Sequence, residues 1–187
     1  AHVYGKPDDL RRLVDRAHAL GIGIIVDVVY NHLGPDGNYL PQFAEYFTSR
    51  YPDEWGKPLD FDGPEAEPVR DFVTANAAMW ISEFHCDGLR LDATQNLFDE
   101  SPRHIVADLV GAARAAAGGR GLFIVAESES QDEKLLRDGV DAIWVDDYHH
   151  VNRVAATGAS EAYMQDYEGS ARELVACIAR NSISQGQ

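Results

Sequence analysis

Gly88-Leu89-Arg90-Leu91-Asp92 and Leu122-Phe123-Ile124-Val125-Ala126-Glu127 are two short apolar runs, each closed by a carboxylate. Runs of this length and composition fit parallel strands buried on both faces. A third run, Ile22 to Val29, also carries polar groups at its far end, in Asp27-Val28-Val29-Tyr30-Asn31-His32. In an α/β barrel the C-terminal ends of successive parallel strands converge on one face, where the chemistry sits. Two carboxyl groups facing one point are the minimum equipment for cleaving a glycosidic bond.

Around these runs helix and strand alternate, which predicts βα units and a parallel sheet. Pro7-Asp8-Asp9 opens a helix with Leu10, Leu13, Val14, Ala17 and Leu20 at helical spacing, and Gly21 stands where a left-handed cap belongs. Residues 33–64 read as a loop excursion, rich in Gly, Pro and Asp. Its aromatics (Tyr39, Phe43, Tyr46, Phe47, Tyr51, Trp55 and Phe61) predict that it packs. A helix over 68–84 is expected to turn Val69, Phe72, Val73, Asn76, Trp80, Ile81 and Phe84 inward. Ser101-Pro102 supplies the residue types for an N-cap and first position of a helix ending near Gly118-Gly119. A short helix about Leu135-Leu136, a strand from Ala142 to Val145, and helices near 149–157 and 171–180 complete the pattern.

Four strands, each followed by helix, predict an α/β fold and part of a (β/α)8 barrel, since a closed barrel takes ~250 residues. The other candidate is an open doubly wound sheet, but no Gly-x-Gly-x-x-Gly turn follows any strand. Residues 1–187 are expected to be part of one catalytic barrel domain.

The 31 acidic and 16 basic side chains leave a net charge of −15, which opposes binding to nucleic acid or an anionic membrane and suits a neutral substrate such as a sugar. No apolar run is long enough to span a bilayer, and no secretory leader is expected from the residues at hand. Cys86 and Cys177 are far apart and lack metal-ligand spacing, so neither a disulfide framework nor a zinc site is expected, and a reducing cytoplasm is the setting to expect. No cofactor or metal is assigned.

Arg90 and Asp92, two apart on a strand, point to one face. The guanidinium keeps the carboxylate ionised, ready to attack an anomeric carbon or to stabilise positive charge there; a purely structural ion pair is the alternative. Glu127 needs a proton to act as general acid, and a like charge such as Asp92 favours one; the alternative is a helix N-cap. A carboxyl separation of ~5–5.5 Å would mean retention of configuration. Asp27, Asn31 and His32 supply acceptors and donors suited to sugar hydroxyls. Asp146-Asp147-Tyr148-His149-His150 reads as a substrate rim or helix cap rather than a metal cluster, since adjacent histidines point apart.

Asp27-Val28-Val29-Tyr30-Asn31-His32, Gly88-Leu89-Arg90-Leu91-Asp92 and Val125-Ala126-Glu127 resemble, in order and strand placement, three sequence blocks of the α-amylase superfamily. Within it, Gly34-Pro35-Asp36-Gly37-Asn38-Tyr39-Leu40, His85-Cys86-Asp87-Gly88 and the Asp146–His150 stretch resemble its trehalose-releasing subfamily, the malto-oligosyltrehalose trehalohydrolases. The resemblance implies Asp92 as nucleophile and Glu127 as general acid/base, with Asp27, His32 and Arg90 holding the sugar. Gln95, where many relatives carry His, is the remaining substrate-binding candidate. The implied reaction is hydrolysis of the α-1,4 bond beside a terminal trehalose unit; a glycogen branching enzyme or other glucanotransferase, and a non-catalytic glucan-binding scaffold, are the alternatives. The superfamily's further block, a His-Asp pair after the seventh strand, has no match here. The four strands then correspond to the third to sixth of a barrel, and the chain is expected to be an inactive, poorly stable fragment on its own.

Overall fold

A computed structural model of the chain describes residues 2–52 and 55–180. Helix α1 (Pro7–Ala19) starts on a proline whose fixed φ suits a first turn, and the Asp9 carboxylate accepts from the Lys6 amide at 2.7 Å. At its end Ile22 N–H reaches the Ala17 oxygen and Gly21 N–H the His18 oxygen, both at 2.9 Å, with Gly21 at φ +73°. This paired closure needs a residue that tolerates the left-handed region, the role expected of Gly21.

The chain then runs through β1 (Ile25–Val28), α2 (Glu67–Ser82), β2 (Gly88–Leu91), α3 (Ile105–Ala117), β3 (Phe123–Ser128), α4 (Lys134–Arg137), β4 (Ala142–Val145), α5 (Asp146–Thr157) and α6 (Ala171–Arg180). All four strands are parallel and lie in the order β1-β2-β3-β4. The result is the expected α/β architecture, part of a (β/α)8 barrel. Strands β2 and β3 are buried through most of their length. The outer two are not: β1 begins on exposed Ile25, and Trp144 of β4 is exposed. β1 is also shorter than the 22–29 run, since it lies at an edge of the described sheet and only one side carries hydrogen bonds to a neighbour.

Val69, Val73, Ala77 and Ile81, one per turn of α2, meet Ile105, Val106, Leu109 and Ala113 of α3 in a continuous core over the sheet. Phe72, Leu13 and Leu20, expected inside, are exposed. At Gly88 there is no room for a side chain beside β3: a Cβ there would lie 2.0 Å from the Phe123 oxygen. Helix α3 does not start at Ser101-Pro102. It starts at Ile105, with His104 as N-cap and the Asp99 carboxylate accepting from Ile105 N–H at 2.6 Å.

The 33–64 excursion folds back on itself through backbone bridges His32–Pro58 and Phe47–Leu59. Phe61 is fully buried, Tyr46 and Phe47 pack against the core, and Tyr51 stacks on Phe98 at 4.8 Å. Tyr39, Phe43 and Trp55 stay exposed, so only part of the aromatic set packs as expected. Cys86 and Cys177 are free and buried. Among the described residues no helix is long and apolar enough to cross a membrane.

Candidate active site

Strand register assembles the site. Asp27 of β1 pairs with Arg90 of β2, and Arg90 pairs with Val125 of β3. Residues in register on parallel strands share a face, and so do residues two apart on one strand. Asp27, Arg90, Asp92 and Glu127 therefore converge at the C-terminal ends of three neighbouring strands.

Arg90, with only 14% of its side chain exposed, meets all three carboxylates: Asp27 at 2.6 Å, Asp92 at 2.7 Å and Glu127 at 2.7 Å. Partial burial pulls the guanidinium's pKa down, but hydrogen bonds to Asp27 and Asp92 outweigh it, and the group is held above its ordinary value. Its plane also lies over the Trp144 ring, 5.5 Å from the centroid, and Trp144 is the register partner of Glu127 on β4. The sequence reading gave Glu127 a single charged neighbour, Asp92. The structure adds a guanidinium bonded to both, because the register brings Arg90's second nitrogen within reach of β3.

Glu127 is held at three further points. Its Oε2 accepts from the Ala93 amide at 2.9 Å, its main-chain oxygen accepts from the Thr94 hydroxyl at 2.6 Å, and Trp144 lies beside it. It sits inside β3, ahead of its last residue, so the N-cap alternative does not apply. Asn31 is buried and faces the protein, donating to the main-chain oxygens of Asp92 and Ala93 at 3.0 and 3.3 Å and bonding to His32 Nδ1. His32 then lines a cleft of about 230 Å³ with Trp55, Asn96 and Phe98. Gln95 is engaged by the main chain just beyond β3: its amide oxygen accepts from Glu129 N–H at 3.3 Å.

Asp146 and Asp147 open α5, where negative charge suits the helix N-terminus. Burial and the neighbouring Glu127 push the Asp146 carboxyl above its ordinary pKa. Buried Asp147 accepts from Gln131 at 2.9 Å and from the Tyr167 hydroxyl at 2.7 Å. Among the described residues no three His, Cys, Asp or Glu are placed to hold a metal ion. Of the six candidates, Asp27, Arg90, Asp92 and Glu127 are brought together, His32 lines the neighbouring cleft and Gln95 bonds to Glu129, while Trp144, Ala93 and Thr94, absent from the sequence reading, take parts that depend on register and on a left-handed turn. For Trp144 the available signal was an aromatic at the end of a strand.

The arrangement presents two carboxylates on one guanidinium, with a third at its rim and an aromatic face alongside. A sequence model described as the catalytic domain of alpha amylase matches residues 1–61. A malto-oligosyltrehalose trehalohydrolase from Deinococcus radiodurans is 43% identical over 185 residues, covering 98% of this chain and 30% of its own length. A 1,4-alpha-glucan branching enzyme from Corynebacterium jeikeium is 44% identical over 101 residues, which is 50% of this chain and 14% of that protein. The 1.4 Å crystal structure of a candidate alpha amylase from Salmonella typhimurium superposes on 100% of this chain, with a TM-score of 0.85 and 31% identity, over 33% of its own length. The chain spans about a third of the length of these two full-coverage matches.

Proposed function

We propose, because this chain belongs to the α-amylase superfamily, that the Arg90 cluster serves a retaining glycoside hydrolase of α-1,4-glucans, one that releases trehalose from malto-oligosyltrehalose. In this reading residues 1–187 are part of one catalytic barrel domain, with 33–64 as its loop excursion. The observation that carries it is the single guanidinium within 2.7 Å of Asp27, Asp92 and Glu127. Asp92 attacks the anomeric carbon while Glu127 gives its proton to the departing glycosidic oxygen, leaving a glycosyl ester on Asp92. Glu127 then takes a proton from water, whose oxygen displaces Asp92 and restores the original configuration. Arg90 holds Asp92 aimed from 2.7 Å; Asp27 and His32 accept and donate hydrogen bonds to the sugar held before it. Gln95 contributes from the rim on rotating away from Glu129.

The reaction needs no metal or other cofactor, and its partners are the glucan substrate rather than nucleic acid or membrane. A reducing cytoplasm is the proposed setting, supported by the two free, buried thiols. A second reading, a branching enzyme, is favoured by the 44% identical stretch of the Corynebacterium protein; there a sugar hydroxyl replaces water in the second step.

The test is trehalose release from malto-oligosyltrehalose by the protein at its full natural length, with Glu127→Gln as control. Trehalose from the parent and a loss of about 10²–10⁴-fold in the variant is the expected result. New branch points in place of trehalose would select the transferase. Glucan binding that survives Glu127→Gln, with no turnover by the parent, would leave a scaffold.

A further inference from the structure

Thr94 has no part in the reaction as described, yet it is 4% exposed and its hydroxyl donates at 2.6 Å to the main-chain oxygen of Glu127. It follows Ala93, whose backbone is in the left-handed region at φ +41°, a conformation alanine rarely adopts. The Ala93 amide donates to Glu127 Oε2 at 2.9 Å, while Asn31 holds the carbonyls of Asp92 and Ala93 from the β1 side. One strained turn, beginning directly after Asp92, is therefore fastened to Glu127 at both its backbone and its carboxylate.

We propose that Thr94 is a positioning residue, which sets Glu127 at the distance from Asp92 that proton transfer to the leaving oxygen requires. The proposal rests on the glycosidase reading above. A buried threonine that only filled space could be exchanged for its isostere without cost to one step in particular. A positioning threonine could not, since the hydroxyl, rather than the volume, fixes the Glu127 carbonyl. Strain at Ala93 fits this role: a turn held against its preference needs fastening.

The full-length protein with Thr94→Val, which keeps the shape and removes the hydroxyl, is compared with Thr94→Ser, which keeps the hydroxyl. Each is assayed on malto-oligosyltrehalose, whose leaving oxygen needs a proton, and on α-maltosyl fluoride, whose fluoride departs without one. For Thr94→Val the expected kcat loss is about 10- to 100-fold on the oligosaccharide and under about 3-fold on the fluoride, with KM little changed and Thr94→Ser close to the parent. If Thr94→Val does not fold, Thr94→Ala is put through the same comparison of substrates. Equal losses on both substrates, or none on either, would overturn the proposal while the glycosidase reading stands. A parent that turns over neither substrate would overturn both.

Discussion

A guanidinium two residues before Asp92 has to satisfy three carboxylates at once, and only a planar fork with separate nitrogens can do so. A lysine at the same position is a single point charge on a flexible stem. Arg90→Lys should therefore lower kcat/KM on malto-oligosyltrehalose by about 10²-fold or more while the protein stays folded, which steady-state kinetics beside circular dichroism would check. Parent-like kinetics would mean that Asp92 and Glu127 find their places unaided. At this scale the sequence is a good guide along a strand and a poor one across strands. The spacing of Arg90 and Asp92 places both on one face by itself. That Arg90 also reaches Glu127 depends on its pairing with Val125, and Asn31, chosen as a sugar ligand by residue type, is spent inside the protein on Asp92 and His32. Nothing about an alanine announces the left-handed turn at Ala93.

Between the elements, Arg70 of α2 plays a comparable part. It meets Asp99 at 2.7 Å and Asp108 of α3 at 2.6 Å, and donates to the Phe61 oxygen of the excursion at 2.8 Å. Burial raises the pKa of both carboxyls, but hydrogen bonds outweigh it, chiefly from Ser101 and Arg70 at Asp99 and from Arg70 and Arg103 at Asp108, so both lie below the ordinary value. A depressed folded pKa adds stability that is present above the unfolded value of about 3.9 and lost as pH falls through the folded one. Melting temperature should accordingly drop on acidification below about pH 4. Arg70→Met leaves the Asp99 side chain, with 0% exposure, charged and without its cation, which should cost about 3–5 kcal/mol at neutral pH and flatten that acid limb. Thermal melts from pH 6 to pH 3 would check both. This cluster also explains a misread boundary. Ser101-Pro102 has good capping residue types, yet Asp99 and His104 capture the free amides instead, so α3 begins at Ile105. Where periodicity and glycine decide, as in β2, β4, α4 and the close of α1, sequence and structure agree to within a residue or two.

On the scale of the whole molecule, β1 and β4 are the edges of the sheet among the described residues, and Ile25 and Trp144 remain 44% and 51% exposed. The 187 residues by themselves should give no measurable turnover, bind a hydrophobic dye and unfold at low urea; cooperative unfolding together with turnover would contradict this. The order of the sheet bears on how such a protein is made. Each of β2, β3 and β4 lies beside the strand that precedes it in the chain, so each finds that partner already synthesised. Glu127 follows Arg90 by 37 residues, and at ~5–20 residues per second of synthesis this is about two to seven seconds. Glu127 is thus the last of the four charged groups to be made, after Asp27, Arg90 and Asp92 in turn.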